Sequence, residues 1–246
     1  MRLTLIRHAT LLVELGGRRL LVDPMLGGPG SYPAIEGTPK PRPNPLVPLP
    51  QVELEPLDAV LVTHLHRDHW DPAAAERLDR GLPLFTQPAS AERLRADGFA
   101  AVTAVEDSVE LDGLILHRTG GEHGRGELAE AMGPVSGFVL EAVGEPSLYV
   151  AGDTIWCEAV EEALHRFRPD VTVVNAGAAR FLEGDPITMD AEDVRRVAAT
   201  GTRVVAVHME AVNHCLLTRA ELSAAVPGAT SPGDGETLEF DATERP

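Results

Sequence analysis

The sequence predicts a mixed α/β protein in which two β-sheets pack together and helices cover their outer faces. Strand-type segments dominate residues 1–62, and helix-type segments alternate with strands from there onward. This pattern repeats loosely in each half of the chain, without a sequence repeat. The chain has 246 residues, of which 43% are hydrophobic, so one domain spanning 1–246 can bury a sizeable core.

The N-terminal part is expected to form three strands followed by a long loop. The strands are predicted at 2–6, 11–15 and 18–22. Gly16-Gly17 is the signal of a two-residue hairpin turn, and Asp23-Pro24 ends the third strand. Residues 24–56 hold ten of the 20 prolines, a density that excludes helix and interior strand. We expect a loop insert there that either folds over a site or lies in solvent.

Strands and helices alternate after this loop. The predicted strands lie at 58–62, 84–86, 101–105, 108–111, 114–118, 137–142, 147–150, 171–174, 203–207 and 237–240. The predicted helices lie at 72–78, 89–96, 155–167, 191–199 and 219–225. Candidate N-caps are Asp71 for the first helix, Asp153 or Thr154 for the third, and Thr188 or Asp190 for the fourth.

One stretch concentrates metal-ligand chemistry. Residues 62–71 follow a strand whose residues are mainly apolar, as in a buried strand. Their sequence, Val-Thr-His-Leu-His-Arg-Asp-His-Trp-Asp, places three of the nine histidines within six positions. Imidazole and carboxylate are ligands that first-row divalent metals prefer. A polar turn is the alternative, but the stretch lacks the Gly, Asn and Ser typical of a connection. A metal site is therefore predicted at His64, His66, Asp68 and His69.

Further ligand-type residues follow the ends of other predicted strands. His123, Asp153 and His208 occupy such positions, which are common site positions in α/β folds. Asp153 can serve as a ligand and as a helix cap. His8 follows the first strand and has two interpretations: a structural or surface histidine in a turn, or a residue that supports the metal site or faces the substrate.

Composition restricts the partners. A net charge of −17 argues against nucleic acid and against an anionic membrane surface as partners, because both need a basic footprint. No segment approaches a membrane span, and the N-terminus lacks signal-peptide organisation. Cys157 and Cys215 form no CxxC motif and suit a reducing cytoplasm. We expect a cytoplasmic protein that acts on a small molecule. That molecule can be neutral or anionic, and the sequence does not indicate an oligomeric state.

The H-x-H-x-D-H motif at 64–69, with the later His, Asp and His residues, resembles the metallo-β-lactamase superfamily over nearly the whole chain. The resemblance implies a four-layer αββα sandwich with two divalent metal ions, usually zinc, with manganese or iron as alternatives. The segments His8-Ala9-Thr10, Asp23-Pro24 and Ile187-Thr188-Met189 resemble the L-ascorbate-6-phosphate lactonase-like branch. That branch includes proteins similar to N-acyl-phosphatidylethanolamine-hydrolysing phospholipase D. The implied activity is hydrolysis of a small ester, lactone or phosphodiester.

Residue by residue, the resemblance implies two sets of ligands. One ion takes His64, His66 and His123, the second takes Asp68, His69 and His208, and Asp153 bridges both. A hydroxide bridging the metals is the expected nucleophile, and Asp68 is the catalytic residue that orients it. His8 is a second catalytic candidate. His214 and Asn213 are candidates for substrate binding, and His214 is also the alternative to His208 as the last ligand.

Other functions remain compatible with the same ligands. An iron-dependent oxidoreductase similar to persulfide dioxygenases is the main alternative. A nuclease is disfavoured by the acidic charge and by the absence of a basic exosite. A non-catalytic protein stabilised by metal is the third alternative, although the complete ligand set favours an enzyme.

Overall fold

The computed structural model describes residues 1–241, so the last five residues of the predicted domain lie outside the described residues. The strands in this range are β1 (Arg2–Arg7), β2 (Thr10–Leu15), β3 (Arg18–Val22), β4 (Ala59–Val62), β5 (Leu84–Thr86), β6 (Val102–Ala104), β7 (Ser108–Leu111), β8 (Leu114–Thr119), β9 (Gly137–Ala142), β10 (Leu148–Val150), β11 (Val171–Asn175), β12 (Arg203–Val207) and β13 (Thr237–Glu239). The helices are α1 (Pro72–Arg77), α2 (Pro88–Ala96), α3 (Glu127–Met132), α4 (Glu158–Phe167), α5 (Ala191–Ala198) and α6 (Arg219–Ala225).

The strands form two mixed sheets, which confirms the predicted fold class. The first sheet has the order β13-β1-β2-β3-β4-β5-β6, antiparallel up to β3 and parallel from β3 to β6. The second has the order β12-β11-β10-β9-β8-β7, in which the three strands β12, β11 and β10 are parallel and the remaining pairs antiparallel. The predicted hairpin joins β2 to β3, and both of its glycines have positive φ, which glycine adopts without steric cost.

Each central strand buries both of its faces. Along β4, Leu61 packs between the two sheets, whereas Val60 and Val62 pack against α1 and α2. Along β12, Val205 points toward the other sheet and Val204 packs with α4, α5 and α6. Side chains alternate across a strand with a period of two. The apolar runs in the sequence therefore require a layer on each side, which gives the order helix, sheet, sheet, helix.

Three helix starts follow the capping chemistry of their sequences. Asp71 accepts a hydrogen bond from the backbone N–H of Ala74 at 2.7 Å, and a proline occupies the first helical position of α1. Asp190 caps α5 in the same way, which confirms one of the two predicted caps. Thr218 and Glu221 form a capping box at the start of α6.

Two expectations about helices are wrong. The helix predicted from residue 155 begins at Glu158, with Cys157 as its N-cap. Asp153 caps no helix, because its carboxylate contacts histidines of the site described below. The sequence predicts no element at the short helix α3. Its apolar face consists of Leu128 and Met132, which are only partly buried against the core, and six residues are too few to show a clear helical period.

The Pro-rich loop, residues 24–56, is folded over the sheet edges and held there by buried polar groups. The side chains of Asn44 and Asn213 are linked by a 2.6 Å hydrogen bond, and Asn213 Oδ1 also accepts from the N–H of Ile35. The buried Arg7 donates to the carbonyls of Met25 and Val47 at 2.6 and 3.0 Å. These bonds satisfy backbone groups that the prolines leave without sheet partners. The loop is therefore part of the packed structure.

Within residues 1–241 no helix is both long and apolar enough to cross a membrane. The organisation of 1–246 as a single domain stays a prediction.

Candidate metal centre

The predicted ligand residues meet where several strands end. Two neighbouring groups form: His64, His66, His123 and Asp153 in the first, and His8, Asp68, His69 and His208 in the second. Within each group, one ligand atom of every residue lies within 4.8 Å of the others. The loops after β1, β4, β8, β10 and β12 supply these residues. All seven residues expected from the motif are thus brought together, and His8 joins them.

Asp153 lies between the two groups. Its Oδ2 atom is 3.4 Å from Nε2 of His123, in the first group. Its Oδ1 atom is 3.3 Å from Nε2 of both His69 and His208, in the second group. One oxygen therefore faces each group, which is the arrangement of a carboxylate that can bridge two ions.

The other ring nitrogen of four histidines is held by a separate partner. The pairs are His69 Nδ1 with Asp23 Oδ2 at 2.7 Å, His64 Nδ1 with Thr63 Oγ1 at 3.0 Å, His123 Nδ1 with the carbonyl of Ile187 at 2.8 Å, and His208 Nδ1 with Cys215 Sγ at 3.4 Å. Partners of this kind fix the ring orientation and the tautomer of metal-binding histidines. They leave Nε2 of each ring available to the centre of the site.

The donor atoms fit a divalent metal. Nε2 of His69 lies 3.2 Å from Nε2 of His208, and the buried Nε2 of His64 has no hydrogen-bond partner. Unprotonated ring nitrogens and carboxylate oxygens are all hydrogen-bond acceptors, so they cannot form hydrogen bonds with one another. A divalent cation accepts all of them, and His with Asp is a donor set that zinc and similar metals bind.

Burial and mutual contact set the charges of the site. Burial lowers the pKa of His64 well below its ordinary value and lowers the pKa of His8 to about 3. Burial alone would raise the pKa of Asp68 and Asp153, but contacts with the surrounding histidines outweigh it and hold the pKa of both carboxyl groups well below the ordinary value. Charged carboxylates and neutral imidazoles are the forms that bind a metal.

His69 is the exception among these rings. Its burial lowers the pKa, but the carboxylates of Asp153 and Asp23 outweigh burial and raise it well above the ordinary value. A metal bound at Nε2 would take the place of the proton, so binding at this residue releases a proton.

Asp23 and Asn175 complete the site, and neither was expected from the sequence to contribute. Asp23 accepts hydrogen bonds from both the N–H and the hydroxyl of Thr63 at 2.7 Å, in addition to its contact with His69. Asn175 donates from Nδ2 to Asp153 Oδ1 at 2.6 Å. Both are polar residues at the end of a buried strand, the same signal that marked Asp153.

Gly177 allows two parts of the site to approach closely. A Cβ atom at this position would collide with the backbone oxygen of His208 and crowd the side chain of Cys215. Any larger residue would therefore displace the loop that carries His208.

His8 is fully buried inside the second group. Its Nε2 lies 3.1 Å from Asp68 Oδ2, and its ring centroid lies 3.6 Å from that of His208. His8 lies in the turn between β1 and β2 and is buried, so the interpretation of it as a surface histidine is wrong, and its catalytic role stays a prediction. Its Nδ1 atom is buried without a partner, so Nε2 is the nitrogen through which His8 acts on Asp68.

A cavity of about 420 Å³ opens onto the two groups. It is lined by Tyr32, Pro33, Ala34, Ile35, Glu36, His66, Arg67, Asp68, His123, Met132, Asp153, Phe181, Ile187 and His214. His214 thus lies where a substrate contact was expected. Asn213 does not line this cavity, because its side chain is bonded to Ile35, Thr38 and Asn44 of the Pro-rich loop.

Residues 18–209 match the family model described as a beta-lactamase superfamily domain, which is most of the chain. The chain belongs to the metallo-β-lactamase superfamily. Its activity class is metal-dependent hydrolysis. The finer assignment to the lactonase-like branch stays a prediction.

Full-length relatives of this superfamily member are found among both sequences and solved structures. The chain is 40% identical to UPF0173 protein YddR of Bacillus subtilis (strain 168), over 98% of this chain and 100% of the relative. It is 37% identical to the isothiocyanate hydrolase from Delia radicum gut bacteria, with a TM-score of 0.92 over 98% of this chain and 100% of that chain. It is 36% identical to a possible metal-dependent hydrolase from Veillonella parvula, with a TM-score of 0.94 over 98% and 99% of the two chains.

Proposed function

We propose that this chain hydrolyses isothiocyanates, R–N=C=S, in which R is a small apolar group. The observation that carries the proposal is the cavity, which opens onto His and Asp donors and is otherwise walled mainly by apolar side chains. Similarity over the full length to an isothiocyanate hydrolase supports this choice of bond.

The cavity favours a neutral substrate. Tyr32, Ile35, Met132, Phe181 and Ile187 form its apolar walls. An apolar pocket with a few polar groups at one end orients a ligand that has an apolar body and one reactive group.

Apart from the metal that the ligand residues would hold, the cavity offers little positive charge to an anionic substrate. Arg67 is the one cationic side chain among the described lining residues, and the oppositely charged Glu36 lines the same cavity. The guanidinium of Arg67 lies over the ring of Tyr32. A phosphodiester or a sugar phosphate needs several donors for its charged oxygens. The phosphodiester expected from the sequence is therefore less well supported than a neutral ester, lactone or isothiocyanate.

The two groups of metal-ligand residues define which side chains would hold metal. His64, His66 and His123 would hold one ion, Asp68, His69 and His208 the other, and Asp153 would contact both. When bound, divalent ions such as zinc would supply a water that ionises near neutral pH and a Lewis acid that polarises the substrate.

Asp68 and His8 act together on the attacking water. Asp68 lines the cavity and is ionised, so its carboxylate can accept a hydrogen bond from water and orient it toward the substrate carbon. His8 donates from Nε2 to Asp68 Oδ2 and holds this carboxylate in place. The overall reaction is R–N=C=S + H₂O → R–NH₂ + COS. The water oxygen bonds to the central carbon, the bond from carbon to nitrogen breaks, and both protons of water end on the amine.

The scarcity of reactive nucleophiles supports the same substrate class. Isothiocyanates are electrophiles that add to thiols and amines. The chain contains one lysine, Lys40, and both cysteines are buried. Burial also raises the pKa of Cys215 well above its ordinary value, which keeps this thiol in its less reactive form. The protein therefore offers few groups that such a substrate could modify.

A substrate panel tests the proposal. The metal-loaded protein is assayed with benzyl isothiocyanate, phenyl acetate, a γ-lactone and bis(p-nitrophenyl) phosphate, and oxygen uptake is followed in parallel. We expect amine release from the isothiocyanate, loss of that activity in Asp68→Asn, and retention in Asp58→Asn, a matched change at a residue that does not line the cavity. Turnover of the ester or the lactone alone would reject isothiocyanates as substrates. Oxygen consumption that requires iron would favour the oxidoreductase alternative.

A further inference from the structure

We propose that His214 is a catalytic residue that donates a hydrogen bond from Nε2 to the substrate atom on which negative charge develops. The identity of that substrate rests on the function proposed above. The role itself applies equally to an isothiocyanate and to an ester, because both accumulate negative charge on the atom bonded to the attacked carbon.

His214 stands apart from the other polar residues of the cavity. His66, His123, Asp68 and Asp153 belong to the donor groups. Arg67 and Glu36 are exposed, and the hydroxyl of Tyr32 donates to Met25 Sδ at 2.9 Å. His214 belongs to neither group of metal-ligand residues. Among the described lining residues outside those groups, it is the one buried polar side chain whose ring has no hydrogen-bond partner.

The ring of His214 has one nitrogen enclosed by protein. Nδ1 is buried and has no partner, and the residue is only 4% exposed. Nε2 is therefore the nitrogen that can reach the cavity. A proton on Nδ1 would leave a buried donor unpaired, at a cost of about 1–3 kcal/mol. The favoured tautomer carries its proton on Nε2 and presents an N–H donor to the cavity.

The same ring is neutral at physiological pH. Burial lowers the pKa of His214 to about 4, so the ring is uncharged and carries a single proton. A neutral imidazole can polarise a substrate in this way. When water adds to the central carbon of an isothiocyanate, the electrons of a double bond move onto sulfur or nitrogen. A donor already in place stabilises that charge without reorganising.

The backbone around His214 holds the ring in position. Its carbonyl accepts a hydrogen bond from the N–H of Arg180 at 3.1 Å. The preceding residue, Asn213, is fixed to the Pro-rich loop, and the following residue, Cys215, contacts His208. A donor positioned by its neighbours is the kind that contributes strongly to catalysis.

The test compares one substitution of His214 that keeps a hydrogen-bond donor with one that removes it. His214→Gln keeps an amide N–H close to the place of Nε2, whereas His214→Leu keeps bulk and removes the donor. The metal-loaded wild type and both variants are assayed with para-substituted phenyl isothiocyanates and with phenyl acetate, after metal content has been brought to the same value in all three. We expect kcat of His214→Leu to fall by about 10²–10³-fold with little change in KM.

Two further readouts separate catalysis from structure. His214→Gln should recover kcat to within about tenfold of wild type. In His214→Leu, kcat should depend more steeply on electron-withdrawing substituents, because the substrate must carry its charge without help. A His214→Leu variant within about threefold of wild type, or a His214→Gln variant as slow as His214→Leu with unchanged substituent dependence, would overturn the proposal.

The two reactions distinguish the inference from the proposed function. Wild type that hydrolyses phenyl acetate and not the isothiocyanates would refute the proposed substrate, and the ratio between the variants on the ester would still decide the role of His214. Wild type that hydrolyses the isothiocyanates with equal rates in all variants would refute the role of His214 alone. Wild type without activity on either would contradict both.

Discussion

Replacing Asp23 by asparagine tests whether the carboxylate behind His69 controls metal binding. Asp23 is 1% exposed and has a φ of 45°, a conformation that asparagine adopts about as well as aspartate. The substitution therefore changes the charge and one oxygen without adding backbone strain. Asp23→Ala would confound these effects.

The hydrogen bonds around Asp23 fix the expected magnitude. Oδ1 accepts from the N–H of Thr63, and Oδ2 contacts both the hydroxyl of Thr63 and Nδ1 of His69. In asparagine one of these oxygens becomes NH₂. If the amide oxygen faces the N–H of Thr63, the NH₂ group faces His69 and forces the proton of that ring onto Nε2, where metal should bind. In the opposite orientation two donors meet at Thr63. Loss of such a partner typically costs 10–100-fold in metal affinity, which is about 1.4–2.7 kcal/mol.

Metal competition measures this cost. Zinc affinity is determined with a chromophoric chelator for wild type, Asp23→Asn and Asp58→Asn. Asp58 also accepts a hydrogen bond from a backbone N–H, that of Arg19, but lies outside both donor groups. We expect weaker binding in Asp23→Asn alone. Equal affinity in all three proteins would show that Asp23 does not orient His69.

Three further predictions concern Cys215, Asn213 and His214. Cys215→Ala should lower the free energy of unfolding by about 1–3 kcal/mol, because the buried Nδ1 of His208 loses its partner. Urea unfolding measures this loss, which should be smaller in Cys215→Ser. Equal losses in the two variants would exclude this contact as the cause. Asn213→Ala removes four side-chain hydrogen bonds to the Pro-rich loop and should cost about 2–4 kcal/mol, with faster proteolysis within the loop. Unchanged stability with reduced kcat/KM would instead support the substrate contact expected from the sequence. The pKa of His214 is lowered by burial from 6.5 to about 4, so the unfolded chain takes up a proton first as pH falls. The contribution of the neutral, buried His214 to the free energy of unfolding is therefore fully present above pH 6.5 and is lost as the pH falls toward 4. The decline of Tm across this range should be shallower in His214→Gln, and identical declines would contradict the prediction.

The ligand positions were predictable because local signals mark them. His64, Asp153 and His208 each follow an apolar strand, and buried strands of a layered fold deliver their ends to a common edge. The strands themselves were predictable from apolar runs and turn residues. The capped start of α5 at Asp190 was equally visible.

Other features depend on contacts between distant parts of the chain. The Pro-rich loop is held by the bond between Asn44 and Asn213, which are 169 residues apart, and no local pattern indicates that pairing. Asp23 and Asn175 act by touching ligand residues, so their role appears only once the strands are placed side by side. The turn position of His8 was predictable, but its contact with Asp68 joins residues 60 positions apart and has no local signal.

The dependence of isothiocyanate hydrolysis on bound metal tests the central claim most directly. Metal-free protein is titrated with zinc, and the rate of benzylamine release from benzyl isothiocyanate is measured at each metal content, with Asp153→Asn in parallel. Two donor groups joined by Asp153 predict a rate that rises to a maximum at two ions per chain and stays near the uncatalysed background in the variant. A full rate without metal, or no amine release at any metal content, would contradict this account.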